Sequence, residues 1–409
     1  MTNRIYVIIC LFMLSWSAFA NSILIPMDDS QRNHLKAYGL AYFMLQKKAE
    51  VDWLLNYRGG SFLFAYSVDA ETECKIRGIS YETISTARVN SILNEISSPA
   101  VNMNVVRLEK IPRIAVYSPK NEFIQDETDA VIHVLEYAEI PFDIIYDEEI
   151  HNNALARYDW VHLHHEDFTG HPARTRWRES AILEYKAQEA TAGKLGYANV
   201  PAMKLDIAKK LKAFCAGGGY LFAMCSAAES IDVALAANGN NLYDIADDDL
   251  QHTSLLDYSF TFAFENFVIE PPYNRRFSDI NIGRGFNPSN TYFSLFTFSA
   301  KWDIIPSLLT QNHTNMIREF SGLTTAFDRT LIKPEVMILG ENRAAGNARY
   351  IFSEMGKGFW TFYSGHDPEG HPGRGRLSTD LNLHPNSPGY RLILNNVLFP
   401  SAQKKKQKT

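Results

Sequence analysis

The sequence predicts an α/β protein built on a doubly wound, mainly parallel sheet, with an N-terminal α/β segment and a large insertion. Three observations predict it. From Pro112 onward, short apolar runs ("RIAVYS", "FDIIYD", "YDWVHLHH", "GYLFAMC") alternate with amphipathic stretches, the pattern of strands covered on both faces. The helical stretch "AMKLDIAKKLKAFCAGG" stops at glycines, as C-terminal caps do. A hydrophobic content of 46% and an aromatic content of 12% over 409 residues supply a sizeable core.

Taken in order, residues 1–20 read as a signal peptide. Arg4 precedes an apolar run from Ile5 to Trp16, and Ala18-Phe19-Ala20 is an A-x-A cleavage site. Cleavage near Ala20 implies a periplasmic or secreted protein. The run is too short for an ordinary membrane span, so no stable span is expected after cleavage. An uncleaved signal anchor is the alternative, against which the A-x-A site counts.

Residues 21–109 form the N-terminal segment. "NHLKAYGLAYFMLQKKAEVDWLLNY" reads as a helix leading into a strand, "RGGSFLFAY" as a turn and strand, and "YETISTARVNSILNEISS" as a helix. Arg58-Gly59-Gly60-Ser61 fits a tight turn or an anion-binding loop. Residues 110–399 form the main domain. In it "ETDAVIHVLEYAEI" is a helix after the first strand, and "SAAESIDVALAA" follows the fourth. The pattern breaks over about 238–330, where Asn, Asp, Phe and Tyr abound between turns such as "GRGFNPSN", as expected of an insertion lying over the sheet. "PEVMILGEN" and "ARYIFSEMGKGFWTFYSGHDPEGH" resume strands around a hairpin at Gly356-Lys357-Gly358, and "SPGYRLILNNVLF" closes with a helix. Residues 400–409 are a basic tail.

The net charge of −6 argues against nucleic acid and anionic membranes as partners and leaves a small-molecule substrate. After cleavage Cys74, Cys215 and Cys225 remain, an odd number without C-x-x-C spacing. At least one thiol therefore stays outside any intramolecular disulfide, and no zinc ribbon is indicated. No cofactor is called for.

The stretch "GGGYLFAMCSAAESID" (217–232) runs from glycines through a strand into Cys225 and then into a helix, with Ala223 and Ala227 two residues away on either side. This is the pattern of a nucleophile elbow, which exposes the side chain at a strained turn and requires small neighbours. A thiol at a helix N-terminus is also biased toward thiolate. The alternative is a buried cysteine acting as a small hydrophobe. A thiolate nucleophile needs a base and an orienter. His366 follows a later strand directly, with Asp367 and Glu369 beside it. In a parallel sheet both strand tips open on the same edge. The N–H groups of Ser226 and of the loop at Thr169-Gly170 are candidate oxyanion donors. A second cluster, His162, His164, His165, Glu166 and Asp167, then His171, ends the third strand. It shapes a pocket or, with His162, His164 and His171 as ligands and His371 in reach, holds a metal. Arg374 and Arg376 are candidate anchors for an anionic substrate group, or solvated loop residues.

With the cysteine elbow and the hairpin ending in His-x-x-Glu, the sequence resembles the class I glutamine amidotransferase-like superfamily over roughly residues 110–235 and 333–399. "GKGFWTFYSGHDPE" is similar to its trehalose-utilisation-type branch, which is associated with sugars. The resemblance implies a flavodoxin-like fold, Cys225 as nucleophile and His366 as base in a Cys-His-Glu triad that forms a thioester. Alanines replace the glycines of the usual G-x-C-x-G elbow, Glu229 occupies the glutamine position of amidotransferases, and Pro368 fills the usual Glu slot. Three functions are thus expected to compete. They are an exported cysteine hydrolase or amidase, a non-catalytic carbohydrate- or ligand-binding protein, and a metal-dependent hydrolase using the His162–Asp167 cluster.

Overall fold

The computed structural model describes residues 21–118, 129–164, 166–172, 179–240, 252–271, 276–283, 291–312, 314–370 and 379–402. Residues 1–20, read above as a signal peptide, His165, His371, Arg374, Arg376 and most of the basic tail lie outside the described residues. The first segment runs β1 (Asn21–Ile25), α1 (His34–Gln46), β2 (Val51–Leu55), β3 (Ser61–Ala65), α2 (Val68–Arg77), β4 (Glu82–Ser85), α3 (Thr86–Ser97) and β5 (Asn104–Leu108). Next come β6 (Ile114–Tyr117), α4 (Ala130–Ala138), β7 (Asp143–Ile145), α5 (Asp147–His151), β8 (Trp160–Leu163), α6 (Glu179–Lys194), α7 (Val200–Gly217), β9 (Tyr220–Met224) and α8 (Ser226–Ala237). The remainder is β10 (Tyr292–Leu295), α9 (Pro306–Leu309), β11 (Met316–Arg318), β12 (Phe327–Asp328), β13 (Met337–Asn342), β14 (Asn347–Met355), β15 (Gly358–Tyr363) and α10 (Pro388–Leu398). Helix ends follow local chemistry. α7 starts at Asn199, whose side chain accepts the Ala202 N–H, with Pro201 in the first turn, and it stops at Gly218.

The protein is a mixed α/β structure with two sheets among the described residues. The first segment forms an antiparallel five-stranded sheet in the order β4-β1-β3-β2-β5. The second sheet is ten-stranded. Only β7-β6-β8-β9-β15 run parallel. Beyond β15 the sheet continues antiparallel through β14, β13, β10 and β11, and β12 adds to β14. The expected mainly parallel sheet is thereby corrected. The hairpin at Gly356 reverses the chain in the plane, and the 238–330 insertion extends the sheet instead of only covering it. The strand β10 shows why, since Phe293 and Leu295 alternate inward while Tyr292 stays exposed. Residues 82–85 are likewise a strand paired to β1, not the start of a helix. Their Thr83-Ile84 pair suits a sheet, and Ser85 caps α3.

The N-terminal sheet shares one core with the main sheet. Trp53, Tyr38 and Phe62 belong to the same packed cluster as Phe222, Tyr363 and Leu392. The opposite face buries Met203, Ile207, Ile231 and Phe362 with Phe262, Phe264 and Ile280 of the insertion. The 58–61 stretch is a tight turn whose Gly59 carbonyl accepts from the buried Arg391 of α10, while Arg58 itself pairs with Asp28 and Glu82. Among the described residues no helix is long and apolar enough to cross a membrane.

Arg391 is fully buried and also donates to Met27 O at 3.2 Å and to the Tyr38 hydroxyl at 3.1 Å. Replacing it orphans two buried carbonyls. Arg391→Met is expected to cost roughly 2–4 kcal/mol. Urea unfolding checks this, and a midpoint within error of the wild type would show that α10 does not hold the N-terminal sheet through this side chain.

Candidate active site

Strand β9 lies between β8 and β15 and delivers Cys225 to the carboxyl edge of the parallel strands. Cys225 adopts φ 53°, ψ −133°, a conformation rare for a side-chain-bearing residue. Two bonds hold it there, from its N–H to Tyr363 O at 3.0 Å and to Gly365 O at 3.1 Å. Its own carbonyl accepts the Ala228 N–H at 3.2 Å and opens α8. Ala223 and Ala227 are fully buried beside it. The strand–turn–helix expected around Cys225 is present.

His366 lies three residues beyond the end of β15 at Tyr363 and directly after the Gly365 carbonyl acceptor; it stands beside the thiol and is hydrogen-bonded to it. Burial pushes the Cys225 thiol up. The His366 imidazole, followed by the N–H groups of Thr324 and Leu323, outweighs it and brings the thiol down to about 7. Burial, with Glu71 adding to it at Cys74 and Lys212 opposing it at Cys215, pushes both of the other thiols up to about 12.

Sequence reasoning missed the segment that covers the sulfur. The Leu323 N–H points at Cys225 Sγ at 3.3 Å. A Cβ at Gly322 would stand 3.1 Å from that sulfur and 3.0 Å from His366 Nδ1, so only glycine fits without displacement. The strap is pinned at both ends. Ser321 exchanges backbone bonds with Asp367 (2.9 Å) and His366 (2.8 Å), Thr324 O accepts from Gly365 N at 2.6 Å, and Thr324 Oγ1 donates to Glu229 at 2.7 Å. Glu229 also accepts Ser278 N and Oγ at 2.9 Å. It anchors the insertion to α8, a role the local sequence does not signal.

The other expected site residues are placed as follows. The amides directed at the sulfur belong to Leu323 and Thr324. Gly170 packs against the Val200–Pro201 backbone (3.0 Å from a built Cβ), and its N–H turns to Asp167 O at 3.4 Å. The Asp367 carboxylate accepts from Thr379 Oγ1 (2.9 Å) and Tyr390 OH (3.2 Å). Glu369 accepts from Ser387 Oγ at 2.6 Å and pairs with Arg318 at 3.2 Å. The Asp367 carboxylate thus bonds to Thr379 and to α10, and the Glu369 carboxylate to Ser387, which caps α10, and to β11. Glu166 gives its carbonyl to Ser230 Oγ at 2.7 Å. Burial, partly countered by Lys204, holds its carboxyl well above the usual range. Asp167 accepts the Thr169 N–H at 2.9 Å.

His162 and His164 do share a face, as strand alternation predicts, and both meet Asp129, at 3.5 and 3.4 Å. The ring of His164 also meets His366 edge to face, with centroids 4.9 Å apart. His171 is buried in the loop that follows. Among the described residues no group of three His, Cys, Asp or Glu side chains is arranged to hold a metal. His162 Nδ1 is instead 3.1 Å from Phe222 O. The aromatic residues of the insertion pack more than they display. Phe262, Phe264 and Phe267 are core, although Tyr292 and Phe296 remain exposed.

No protein-family model matches the sequence. No curated protein matches it. Among solved structures the chain is similar to two cytoplasmic proteins from Salmonella typhimurium. One has a TM-score of 0.37 and 10% identity over 72% of this chain and 100% of its own. The other has a TM-score of 0.36 and 12% identity over 71% and 100%. A cold-adapted β-galactosidase from Rahnella sp. R3 is similar at a TM-score of 0.24 and 12% identity, over 63% of this chain and 29% of that chain.

Alkylation of Cys225 is expected to be half-maximal near pH 7, with Cys74 and Cys215 silent below pH 10. Mass spectrometry after timed labelling checks this. The Cys225 value in the fold lies below its unfolded value of about 9. Its thiolate therefore contributes stability that is present above about pH 9 and lost as pH falls through about 7. The melting temperature of the wild type should fall relative to Cys225→Ala over that window. Gly322→Ala should slow alkylation and destabilise the fold by about 1–3 kcal/mol, because the added methyl group must displace the thiol or the imidazole.

Proposed function

We propose that this chain is an exported, cysteine-dependent hydrolase of amide bonds on a class I glutamine amidotransferase-like fold. One observation carries the proposal: a thiol at a strained strand–helix turn, hydrogen-bonded to a histidine and ionising near neutrality. The spatial order β7-β6-β8-β9-β15 supports the finer fold assignment. Numbered along the chain it is 2-1-3-4-5, the flavodoxin-like order, in which ligands sit at the carboxyl ends of the strands. Cys225 and His366 both lie at that edge. Export rests on the A-x-A site ending at Ala20.

In the reaction, Cys225 Sγ attacks the amide carbonyl carbon and the carbonyl electrons move to oxygen. Collapse expels the amine, which takes the proton held by His366, and leaves a thioester. His366 then removes a proton from water, the hydroxide displaces Sγ, and the acid departs. The N–H groups of Leu323 and Thr324 sit where negative charge starts on sulfur, and they hold it there before attack. Cys225 itself is fully covered, so a substrate must displace the Gly322–Thr324 strap or reach past it. That cover favours a second proposal, a carbohydrate- or ligand-binding protein that keeps the fold without turnover.

A panel of N-acyl p-nitroanilides and short amides separates the two. Turnover that disappears in both Cys225→Ala and His366→Asn, with an acyl adduct of Cys225 trapped by acid quench, is the expected result. Turnover that survives Cys225→Ala would sink the cysteine mechanism. Binding of a ligand that is unchanged in both variants, with no turnover anywhere, would establish the second function.

A further inference from the structure

A base in a cysteine–histidine pair needs something to fix its ring, and the two acids next to His366 in sequence do other work. The ring against His366 is that of His164, edge to face at 75° between planes. His164 Nδ1 stands 3.4 Å from Asp129 Oδ2. Asp129 cannot move: its Oδ1 accepts Val131 N at 2.7 Å and Ile132 N at 3.1 Å, capping α4, and the side chain is buried. Burial pushes the carboxyl up, but His164 and His162 hold it well below the usual range, so it is a carboxylate. His162 is itself wedged between Trp160 and Phe222. Three strand ends and one helix start thus converge. β6–α4 gives Asp129, β8 gives His164, β15 gives His366 and β9 gives Cys225.

We infer that Asp129 is the acid of this site and acts at one remove, as a positioning residue that locks His164, whose ring locks His366 against Cys225. The inference rests on the cysteine–histidine proposal above. Its electrostatic consequence has a definite sign. A buried carboxylate one ring removed from His366 favours the imidazolium–thiolate form of the pair over the neutral form. The other charged groups facing this array are His162, Glu166 against His164, Glu229 beneath the strap, and Asp367 beside His366.

The test is the pH profile of Cys225 alkylation by iodoacetamide in wild type, Asp129→Asn, His164→Gln and Glu369→Gln. Asp129→Asn should raise the apparent pKa by at least about one unit. Labelling at pH 6 then slows about tenfold, while the rate at pH 10, where the thiol is ionised in every variant, changes less than about twofold. His164→Gln should give the same displacement, and the double variant no more than either single one, because the two residues act in series. Glu369→Gln should keep the wild-type profile. A profile of Asp129→Asn that superimposes on the wild type, or a displacement found in Glu369→Gln instead, overturns the inference. His164→Gln leaves the α4 cap intact and decides the matter if Asp129→Asn does not fold. A wild-type Cys225 that titrates near about 8.5 defeats the cysteine–histidine proposal itself, a result separable from failure of the Asp129 inference alone.

Discussion

The N–H of Cys225, shared between the carbonyls of Tyr363 and Gly365, is the contact on which the site depends. A residue at φ 53° without such bonds would relax, and the thiol would swing away from the strand tip. Tyr363 ends β15 and Gly365 follows it by two residues, so the chain that fixes the cysteine is also the one that carries His366. Pairing of β9 with β15 therefore sets the distance between nucleophile and base before any side chain is chosen. The strap, the α8 anchor at Glu229 and the bridge between Ser321 and Asp367 all build outward from that one ladder.

Much of this was legible in the sequence where local chemistry decides the outcome. The parallel strands are short apolar runs between capped helices, and the elbow shows itself through glycines, a strand and small residues around Cys225. The shorter strands were not. β10, β11 and β12 are two to four residues long and hold their places through the partners they pair with, so no periodicity betrays them. Gly322-Leu323-Thr324 has no signature at all; its meaning comes from passing within bonding distance of a sulfur 98 positions away in the chain. Asp129 carries a readable local signal, that of a helix cap, which hides its second oxygen facing two histidines. Asp367 and Glu369 show the converse: they adjoin His366 in sequence, while the bonds of Thr379, Tyr390 and Ser387 to their carboxylates have no local signature.

The carboxyl edge is also cross-braced behind the reacting groups. Lys204 reaches the Tyr117 hydroxyl at 2.7 Å and both Asp147 oxygens at 3.0 Å, joining the end of β6 to α5 and α7. Asp232 accepts three backbone N–H groups from Phe262, Ala263 and Phe264 and so fastens the insertion to α8. Buried charges of this kind add little net stability but exclude alternative packings, since any rearrangement strands a charge in the interior.

Helix α10 has a consequence for how the chain folds. Its Arg391 and Asn395 bond to Met27, Gly59 and Tyr38, more than 330 positions earlier in the chain. Ribosomal synthesis delivers those early residues long before their partner exists. Until the last stretch emerges, the N-terminal sheet presents Trp53 and Phe62 with their cover incomplete. The core around the N-terminal sheet is thus closed by α10 across a loop of more than 330 residues, a contact of the kind that forms slowly because loop closure must precede it.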